Sequence, residues 1–384
     1  MSNHGISPQS SQELHLLVTD DAELSVLCQK WLSCSLLAID TEFIRISTFY
    51  PQPGLVQVCD GEQSYLLDPL ALTDWQAFTA ILTNPDIVKI MHSCSEDLVV
   101  FQTAFGVIPA NIFDTQKAAA FLGYGYSLSY QNLIREFLGI ELEKGETRSD
   151  WLQRPLSQEQ LHYAIQDVSF LPAIFQRQTE ALSRRNLLQW CHTECEQLGR
   201  ICALQEEKEQ WALAYQGLVA GWRLQGDNLA ALQALCLWRE EQARKRNKPR
   251  NWVAKDQELL SMAELMPSSI EELLRVPGLP SNLLKHHADT LLSCLQGART
   301  QHKTLMPIPP PLTPEERKLI KSCQHLVREK AAELGIAEEL LARKRHLVMI
   351  LRARKQEDDG WPIEIGGWQR ELLENDIARV IADD

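Results

Sequence analysis

Two carboxylates end the first apolar run of the sequence. Residues 36–43 have the sequence LLAIDTEF, which is typical of a buried strand that ends with Asp40 and Glu42. Because strand side chains alternate between the two faces of a sheet, both acids project to the same side. Two anions held this close repel each other unless cations neutralise them. The pair predicts either a metal site or a solvated strand end.

A further acid follows the apolar run 86–91. In the segment 92–98 (HSCSEDL), Ser93 and Glu96 have the spacing of a helix capping box. This would place Asp97 in the first turn of a helix that directly follows a strand. Asp97 then either serves a site at the strand end or complements the helix dipole.

The last candidate group lies in a long helical pattern from about Ser157 to Arg185. Tyr163 and Asp167 are four residues apart, so they share one face of that helix. Aspartate is a poor helix former, and apolar residues surround this one. The pattern favours a functional group, although a buried pair with an arginine would also explain it.

Four carboxylates and a tyrosine hydroxyl are suited to two-metal phosphoryl transfer. Mg²⁺ and Mn²⁺ prefer oxygen ligands, and two ions about 3.5–4 Å apart stabilise both the attacking and the departing oxygen. Because the ordinary pKa of tyrosine is near ~10, its hydroxyl is better suited to orienting the attacking water than to removing its proton. We therefore predict a site with two Mg²⁺ or Mn²⁺ ions and these functional residues: Asp40, Glu42, Asp97, Tyr163 and Asp167.

The three motifs resemble those of the tyrosine-containing branch of the DEDD superfamily of 3′→5′ exonucleases. In chain order they are Asp40-Thr41-Glu42-Phe43, then His92 with Asp97-Leu98, then Tyr163 with Asp167. The text between them is similar to that of the ribonuclease D family over about residues 14–300, including the segments that begin at Tyr50, Leu66 and Asp150.

This resemblance implies a ribonuclease H-like fold and hydrolysis of RNA from its 3′ end, with release of 5′-mononucleotides. It implies that Asp40, Glu42 and Asp167 bind the first metal, that Asp97 assists with the second, and that Tyr163 positions the water. It also implies transfer RNA precursors as substrates. Two alternatives stay open: a DNA-directed exonuclease of the same superfamily, and an RNA-binding adaptor that no longer cuts.

Residues outside the acid set are candidates for contacts with RNA. Phe43 would either stack on the terminal base or pack in the core, and the backbone around Thr41 would approach the terminal ribose. The strongest basic run, RKRNKPR at 244–250, would either bind an RNA backbone or form a solvated helix end. Its cationic members are Arg244, Lys245, Arg246, Lys248 and Arg250.

The patterns divide the 384 residues into domains. Strands and helices in 1–205 predict an α/β exonuclease domain, a mixed sheet covered by helices. Residues 210–300 and 313–384 are helical and resemble HRDC domains, the helical module shared by helicases and ribonuclease D, the second in a divergent form. The Pro-rich segment 301–312 predicts a stiff, extended linker between two bundles that enclose a single-stranded 3′ end.

Composition and charge exclude several classes of protein. With 45% hydrophobic and 23% charged residues, the chain is neither disordered nor collagen-like. It has no apolar run of roughly 20 residues and no signal-peptide pattern, so we expect a cytoplasmic protein without membrane contact. We also expect a monomer. The net charge of −13 argues against a basic coat protein. Residues 1–200 carry 24 acidic against 12 basic residues, whereas 201–384 carry 27 against 26, so the basic run lies in the near-neutral half.

Overall fold

The computed structural model describes residues 15–142, 149–301, 305–355 and 360–382. Within these ranges the strands form one sheet in the order β1-β4-β3-β2-β5-β6. They are β1 (His15–Val18), β2 (Leu36–Ile44), β3 (Gln52–Cys59), β4 (Ser64–Leu67), β5 (Val88–Met91) and β6 (Ile112–Asp114).

Helices cover this sheet and make up most of the described chain after it. Those that accompany the sheet are α1 (Asp21–Trp31), α2 (Gln76–Thr83), α3 (Ser95–Ala104), α4 (Thr115–Phe121), α5 (Tyr130–Leu138), α6 (Gln158–Ser169), α7 (Leu171–Arg184) and α8 (Leu188–Leu204). A first bundle contains α9 (Lys208–Trp211), α10 (Gly226–Lys245), α11 (Arg250–Val253), α12 (Asp256–Leu265), α13 (Ile270–Leu274) and α14 (Ser281–Gln301). A second bundle contains α15 (Pro314–Leu334), α16 (Glu338–Leu341), α17 (Lys344–Lys355) and α18 (Gly367–Ala382).

The sheet is mixed, as the sequence predicts. Strand β3 is antiparallel to β2 and β4, whereas β2–β5, β5–β6 and β1–β4 are parallel pairs. The pairing of β2 with β5 covers only Leu36, Leu37 and Ala38. Asp40 and Glu42 lie beyond it, on a part of β2 that pairs with β3 alone.

Successive side chains of β2 point to opposite faces of the sheet, and each face has its own hydrophobic core. Leu37 and Ile39 pack with α1, α2 and α3, whereas Ala38 packs with α7 and α8 on the other face. By the same alternation, Asp40 and Glu42 share the face of Ala38, which α6 also covers, and Thr41 shares the opposite face. The strand therefore presents both acids toward α6.

Several predicted elements differ from the structure in instructive ways. The single helix predicted over 157–185 is two helices that meet at Phe170, and a proline follows in the first turn of α7. Proline lacks the backbone N–H that a continuous helix needs, which explains the break. Strands β1 and β6 were not predicted, because runs of four and three residues carry little periodicity.

The two helical bundles are attached to the rest of the chain in different ways. The second shares a core with α4 and α8, and Trp368 stacks on Trp190 with ring centroids 4.7 Å apart. The Pro-rich segment is seated on the first bundle, since Ile308 is 1% exposed in its core and the Tyr215 hydroxyl donates to the carbonyl of Met306 at 2.8 Å. The described part of the predicted linker, from residue 305, has no helix or strand and packs on the first bundle. None of the helices that the structure describes is both long and apolar enough to cross a membrane.

Candidate active site

Three elements bring the predicted acids and the tyrosine together. Strand β2 supplies Asp40 and Glu42, the first turn of α3 supplies Asp97, and α6 supplies Tyr163 and Asp167. A capping box between Ser157 and Gln160 starts α6 and thereby fixes where that helix begins. The proximity of the acids is evident from their mutual influence, because the charges of Asp97 and Asp167 raise the pKa of Asp40 and of Glu42.

All four carboxylates have raised pKa values, and burial is the main cause in each case. Burial and the neighbouring carboxylates raise the pKa of Asp40 well above its ordinary value and that of Glu42 to about 8. Burial raises the pKa of Asp167 to about 7 and that of Asp97 to about 6. At neutral pH the cluster therefore retains protons unless cations offset its charge.

No such cation is found among the described residues, because none of their lysines or arginines forms an ion pair with any of the four acids. Nor do any three His, Cys, Asp or Glu side chains in the described ranges lie close enough to form a ready-made metal cage. A set of mutually repelling oxygen donors without a cationic partner fits hard divalent ions, whose charge would draw the donors together.

Thr41 of the first motif makes a hydrogen bond to Asp97. The hydroxyl of Thr41, a residue that is 5% exposed, donates a hydrogen bond to the carboxylate of Asp97, which is 7% exposed. This bond lowers the pKa of Asp97 and offsets part of the effect of burial. The contact joins β2 to the first turn of α3.

The predicted capping box of α3 is wrong. The helix begins at Ser95, its N-cap Cys94 makes no side-chain cap, and Ser93 lies in the left-handed region with φ 58°. Asp114 replaces the box, because its carboxylate accepts from the backbone N–H of Ser93 at 3.2 Å and of Cys94 at 2.9 Å. Glu96 instead pairs with Arg45 at 3.2 Å.

Tyr163 is positioned to orient rather than to accept a proton. Burial, and after it the charge of Asp167, raises its pKa above the ordinary value, so the hydroxyl stays protonated at neutral pH. Its hydrogen bond to Asp167 lowers the pKa of that carboxylate in turn. The tyrosine ring lies beside Trp151, with centroids 6.2 Å apart, and Arg154 donates to the carbonyl of Trp151 at 2.9 Å.

Comparison with known proteins decides the family. A 3′–5′ exonuclease family model matches residues 16–182, and an HRDC domain model matches residues 228–295. The chain is 39% identical over 359 residues to ribonuclease D of Pseudomonas paraeruginosa, covering 93% of this chain and 94% of that protein. The chain belongs to the ribonuclease D family. It is also 34% identical to ribonuclease D of Escherichia coli, covering 96% and 98% of the two chains.

A solved structure of the family agrees with the fold described above. The crystal structure of Escherichia coli RNase D, an exoribonuclease involved in structured RNA processing, has a TM-score of 0.84 at 33% identity and covers 96% of this chain and 99% of that one. The predicted architecture, an α/β exonuclease domain followed by a helical region with an HRDC domain, is confirmed. As a ribonuclease D family member the protein is a hydrolase, a 3′→5′ exoribonuclease. Exonucleases of this superfamily depend on divalent metal ions.

The basic run of this ribonuclease D family chain is not one exposed patch. Arg244 is 8% exposed in its side chain and pairs with Glu240 at 2.6 Å and Glu206 at 3.1 Å. Arg250 pairs with the same Glu240 at 2.5 Å. Burial alone would raise the pKa of Glu240, but the bonds from Arg250 and Arg244 outweigh it and hold that pKa below its ordinary value. Arg244 is thus committed to internal ion pairs. Arg250, whose side chain is 46% exposed, pairs with Glu240 from the surface and stays a candidate for a phosphate contact.

The other three cations of the run remain on the surface of the first bundle. Lys245 and Arg246 are exposed, and Lys248 lies 5.7 Å from the ring centroid of Trp252, which is 63% exposed.

Near the acids, Phe43 is half-buried at a bulge in β2. The side chain of Thr41 is engaged with Asp97, which leaves only its backbone for a ribose contact.

Sequence reasoning missed two polar residues beside the candidate site. Gln57 is the cross-strand partner of Asp40 in β3, is 0% exposed, and has no hydrogen-bond partner for its amide within the described structure. A polar residue inside the apolar run LVQVC was the available signal. Asp114, an acid directly before a helix start, could have been recognised as an N-cap.

Proposed function

We propose that Asp40, Glu42, Asp97 and Asp167 hold the divalent ions of this exoribonuclease and that Tyr163 orients the attacking water. Four carboxylates whose charges act on one another, one buried and three half-buried, have no basic partner among the described residues. This is the observation that carries the proposal. A structural role would pair such acids with arginine or lysine, as it does for Glu240.

These groups account for the proposed reaction as follows. Two Mg²⁺ or Mn²⁺ ions, when bound, would supply a positive field that stabilises the charge on the attacking and departing oxygens. Asp40, Glu42 and Asp167 would hold the first ion, and Asp40 with Asp97 would hold the second. Water adds to the phosphorus before the last nucleoside and the bond to the upstream 3′ oxygen breaks. The products are a 5′-mononucleotide and an RNA with a new 3′ hydroxyl.

Tyr163 contributes through its hydroxyl, which donates to Asp167 and leaves an oxygen lone pair to accept from the attacking water. Its raised pKa excludes it as a base at neutral pH. In β2, Thr41 lies between the two acids and Phe43 directly follows Glu42. The ring of Phe43 would contact the terminal base of the substrate, and the backbone of Thr41 would contact its ribose.

We further propose a division of labour in which 1–205 performs the chemistry and the helical units 210–300 and 313–384 handle the RNA. The cations Lys245, Arg246 and Lys248, with Trp252 as a stacking surface, supply the phosphate and base contacts of the first unit. The second unit would be a divergent HRDC-type domain. On the strength of the family resemblance, transfer RNA precursors would be the substrates, and the protein would act as a monomer. All 10 cysteines are free, which supports work in the reducing cytoplasm.

Matched RNA and DNA oligonucleotides test the proposed reaction. With Mg²⁺ or Mn²⁺ we expect mononucleotides from the RNA 3′ end, much slower attack on DNA, and no product from Asp40→Asn or Asp167→Asn. Equal rates on RNA and DNA would favour the DNA-directed alternative. Binding of RNA without cleavage at any metal concentration would favour the adaptor.

The surface of the first bundle is tested by the salt dependence of RNA binding. Each of Lys245→Gln, Arg246→Gln and Lys248→Gln should lower the slope of log K against log salt by roughly 0.7 for single-stranded RNA. Arg184→Gln in α7, which removes an exposed cation paired with Glu180, is the matched control and should leave the slope unchanged. Unchanged slopes in all three variants would remove this surface from the proposal.

A further inference from the structure

The acid-bearing end of β2 has a neighbouring strand on one side only. Its pairing with β5 stops at Ala38, so Asp40 and Glu42 depend on β3 for their place in the sheet. Opposite Phe43 in that pairing stands Pro53, which has no backbone N–H to donate. The position of the acid pair therefore depends on whatever holds the hairpin between β2 and β3.

The loop of that hairpin, residues 45–51, is held by the first helical bundle. The side-chain oxygen Oδ1 of Asn247 accepts two hydrogen bonds, from the backbone N–H of Phe49 at 2.9 Å and of Tyr50 at 2.9 Å. Asn247 follows α10 in the left-handed region with φ 47°, a conformation that asparagine tolerates better than most residues. The backbone geometry aims its amide at the loop.

Aromatic and charged contacts hold the same two residues. The Phe49 ring is 5% exposed and contacts the guanidinium groups of Arg244 and Arg250, which lie 4.6 and 4.8 Å from its centroid. The Tyr50 hydroxyl donates to Glu206 at 2.8 Å, and Glu206 also pairs with Arg244. These contacts explain why Arg244 turns inward.

The loop in turn reaches the second acid motif. Arg45 donates to the carbonyl of Phe49 at 2.8 Å and pairs with Glu96 at 3.2 Å. Glu96 is the neighbour of Asp97 in the first turn of α3. One loop thus connects the first bundle to both β2 and α3.

We propose that Asn247 is a positioning residue for the exonuclease reaction. By fixing Phe49 and Tyr50, it holds the β2–β3 hairpin so that Asp40 and Glu42 keep their place relative to Asp97 and α6. The first bundle then contributes to turnover itself, in addition to any RNA contact it makes. This inference rests on the proposed assignment of Asp40 and Glu42 to the reactive centre.

Substitutions in the full chain distinguish the effect of losing the Asn247 acceptor oxygen from the effect of a changed backbone conformation. Asn247→Gly removes the acceptor without strain in the left-handed region, whereas Asn247→Asp keeps an acceptor oxygen there. Asn186→Gly is the matched control, because Asn186 has a similar φ of 57° and is exposed. Phe49→Leu is an independent second variant, which removes the ring between the two guanidinium groups. Melting curves establish that each variant is folded.

Each variant is measured on a trinucleotide RNA, which is too short to depend on remote contacts, and by backbone amide exchange. For Asn247→Gly we expect kcat to fall roughly tenfold to 100-fold with KM little changed, because misplaced acids impair the chemistry rather than binding. Exchange at Phe49 and Tyr50 should become faster. Asn247→Asp should restore both readouts, Phe49→Leu should lower kcat, and Asn186→Gly should match the wild type.

Wild-type kcat in Asn247→Gly overturns the inference, as does unchanged exchange at Phe49 and Tyr50. A loss of kcat that Asn247→Asp does not restore overturns the role of the acceptor. A wild-type protein that releases no mononucleotide contradicts the proposed function instead, and the amide exchange then still reports on the Asn247 contact.

Discussion

The hydroxyl of Thr41 donates a hydrogen bond to the carboxylate of Asp97, and this bond connects the strand of the first acid pair to the helix of the next acid. Alternation along β2 explains how Thr41 can do so while Asp40 and Glu42 face the other way. A single strand therefore presents two candidate ligands on one face and braces a third from the opposite face.

Replacing Thr41 by valine should weaken the metal site while conserving the shape of the side chain. Loss of a hydrogen bond to a metal-binding carboxylate costs roughly 10–100-fold in metal affinity or activity. Calorimetric titration with Mn²⁺ and measurement of kcat would show the effect. Thr41→Ser keeps the hydroxyl and serves as the control. Wild-type Mn²⁺ affinity in Thr41→Val would show that the bond does not position Asp97.

The raised pKa values predict how metal-free stability varies with pH. Unfolded carboxylates have pKa values near ~4, whereas the pKa in the folded state is about 7 for Asp167 and about 8 for Glu42. At pH values between these limits the folded state binds more protons than the unfolded state. The free energy of unfolding contributed by the cluster therefore falls as pH rises through this window. Bound divalent ions require the deprotonated acids, so they should stabilise the protein more at high pH.

Comparison with Asp40→Asn isolates this contribution from the rest of the chain. Removing one of the four negative charges should raise the melting temperature at about pH 9 and change it little at about pH 5, because the cluster is protonated there. Added Mg²⁺ should stabilise the wild type more than the variant at the higher pH. A variant that is less stable than the wild type at the higher pH without metal would contradict the raised pKa of the cluster.

Replacing Tyr163 by phenylalanine should reduce turnover by roughly 10²-fold or more while KM changes little. The hydrogen bond from Tyr163 lowers the pKa of Asp167, so its loss should move the acid limb of the pH–rate profile to higher pH. Steady-state kinetics across that limb give both quantities. An unchanged kcat would exclude Tyr163 from the mechanism.

Gln57→Leu should stabilise the metal-free protein by about 1–3 kcal/mol, because a buried amide without partners is replaced by an apolar side chain of similar volume. Gln57→Glu would add another buried carboxylate beside Asp40 and should lower the stability. Urea unfolding in chelator measures both. A destabilised Gln57→Leu would mean that the amide has a partner in solution.

The candidate acids and the tyrosine could be singled out from sequence because they lie in periodic elements. Asp40 and Glu42 end a recognisable strand, and Tyr163 and Asp167 have helical spacing. Local pattern left structural roles open for these residues, and the resemblance of the three motifs to an exonuclease family selected the metal site. The burial of Arg244 within the basic run was not predictable, because its partners Glu206 and Phe49 are distant in sequence. Asp114 replaced the expected cap of α3 for the same reason, since strand pairing of β5 with β6 brings it there.

Anomalous scattering from crystals soaked with Mn²⁺ and a 3′-terminal nucleotide tests the central claim most directly. We predict Mn²⁺ peaks bounded by Asp40, Glu42, Asp97 and Asp167, with the terminal phosphate beside them and the Tyr163 hydroxyl facing it. Mn²⁺ bound elsewhere in an active crystal, with these four carboxylates free of metal, would contradict the account.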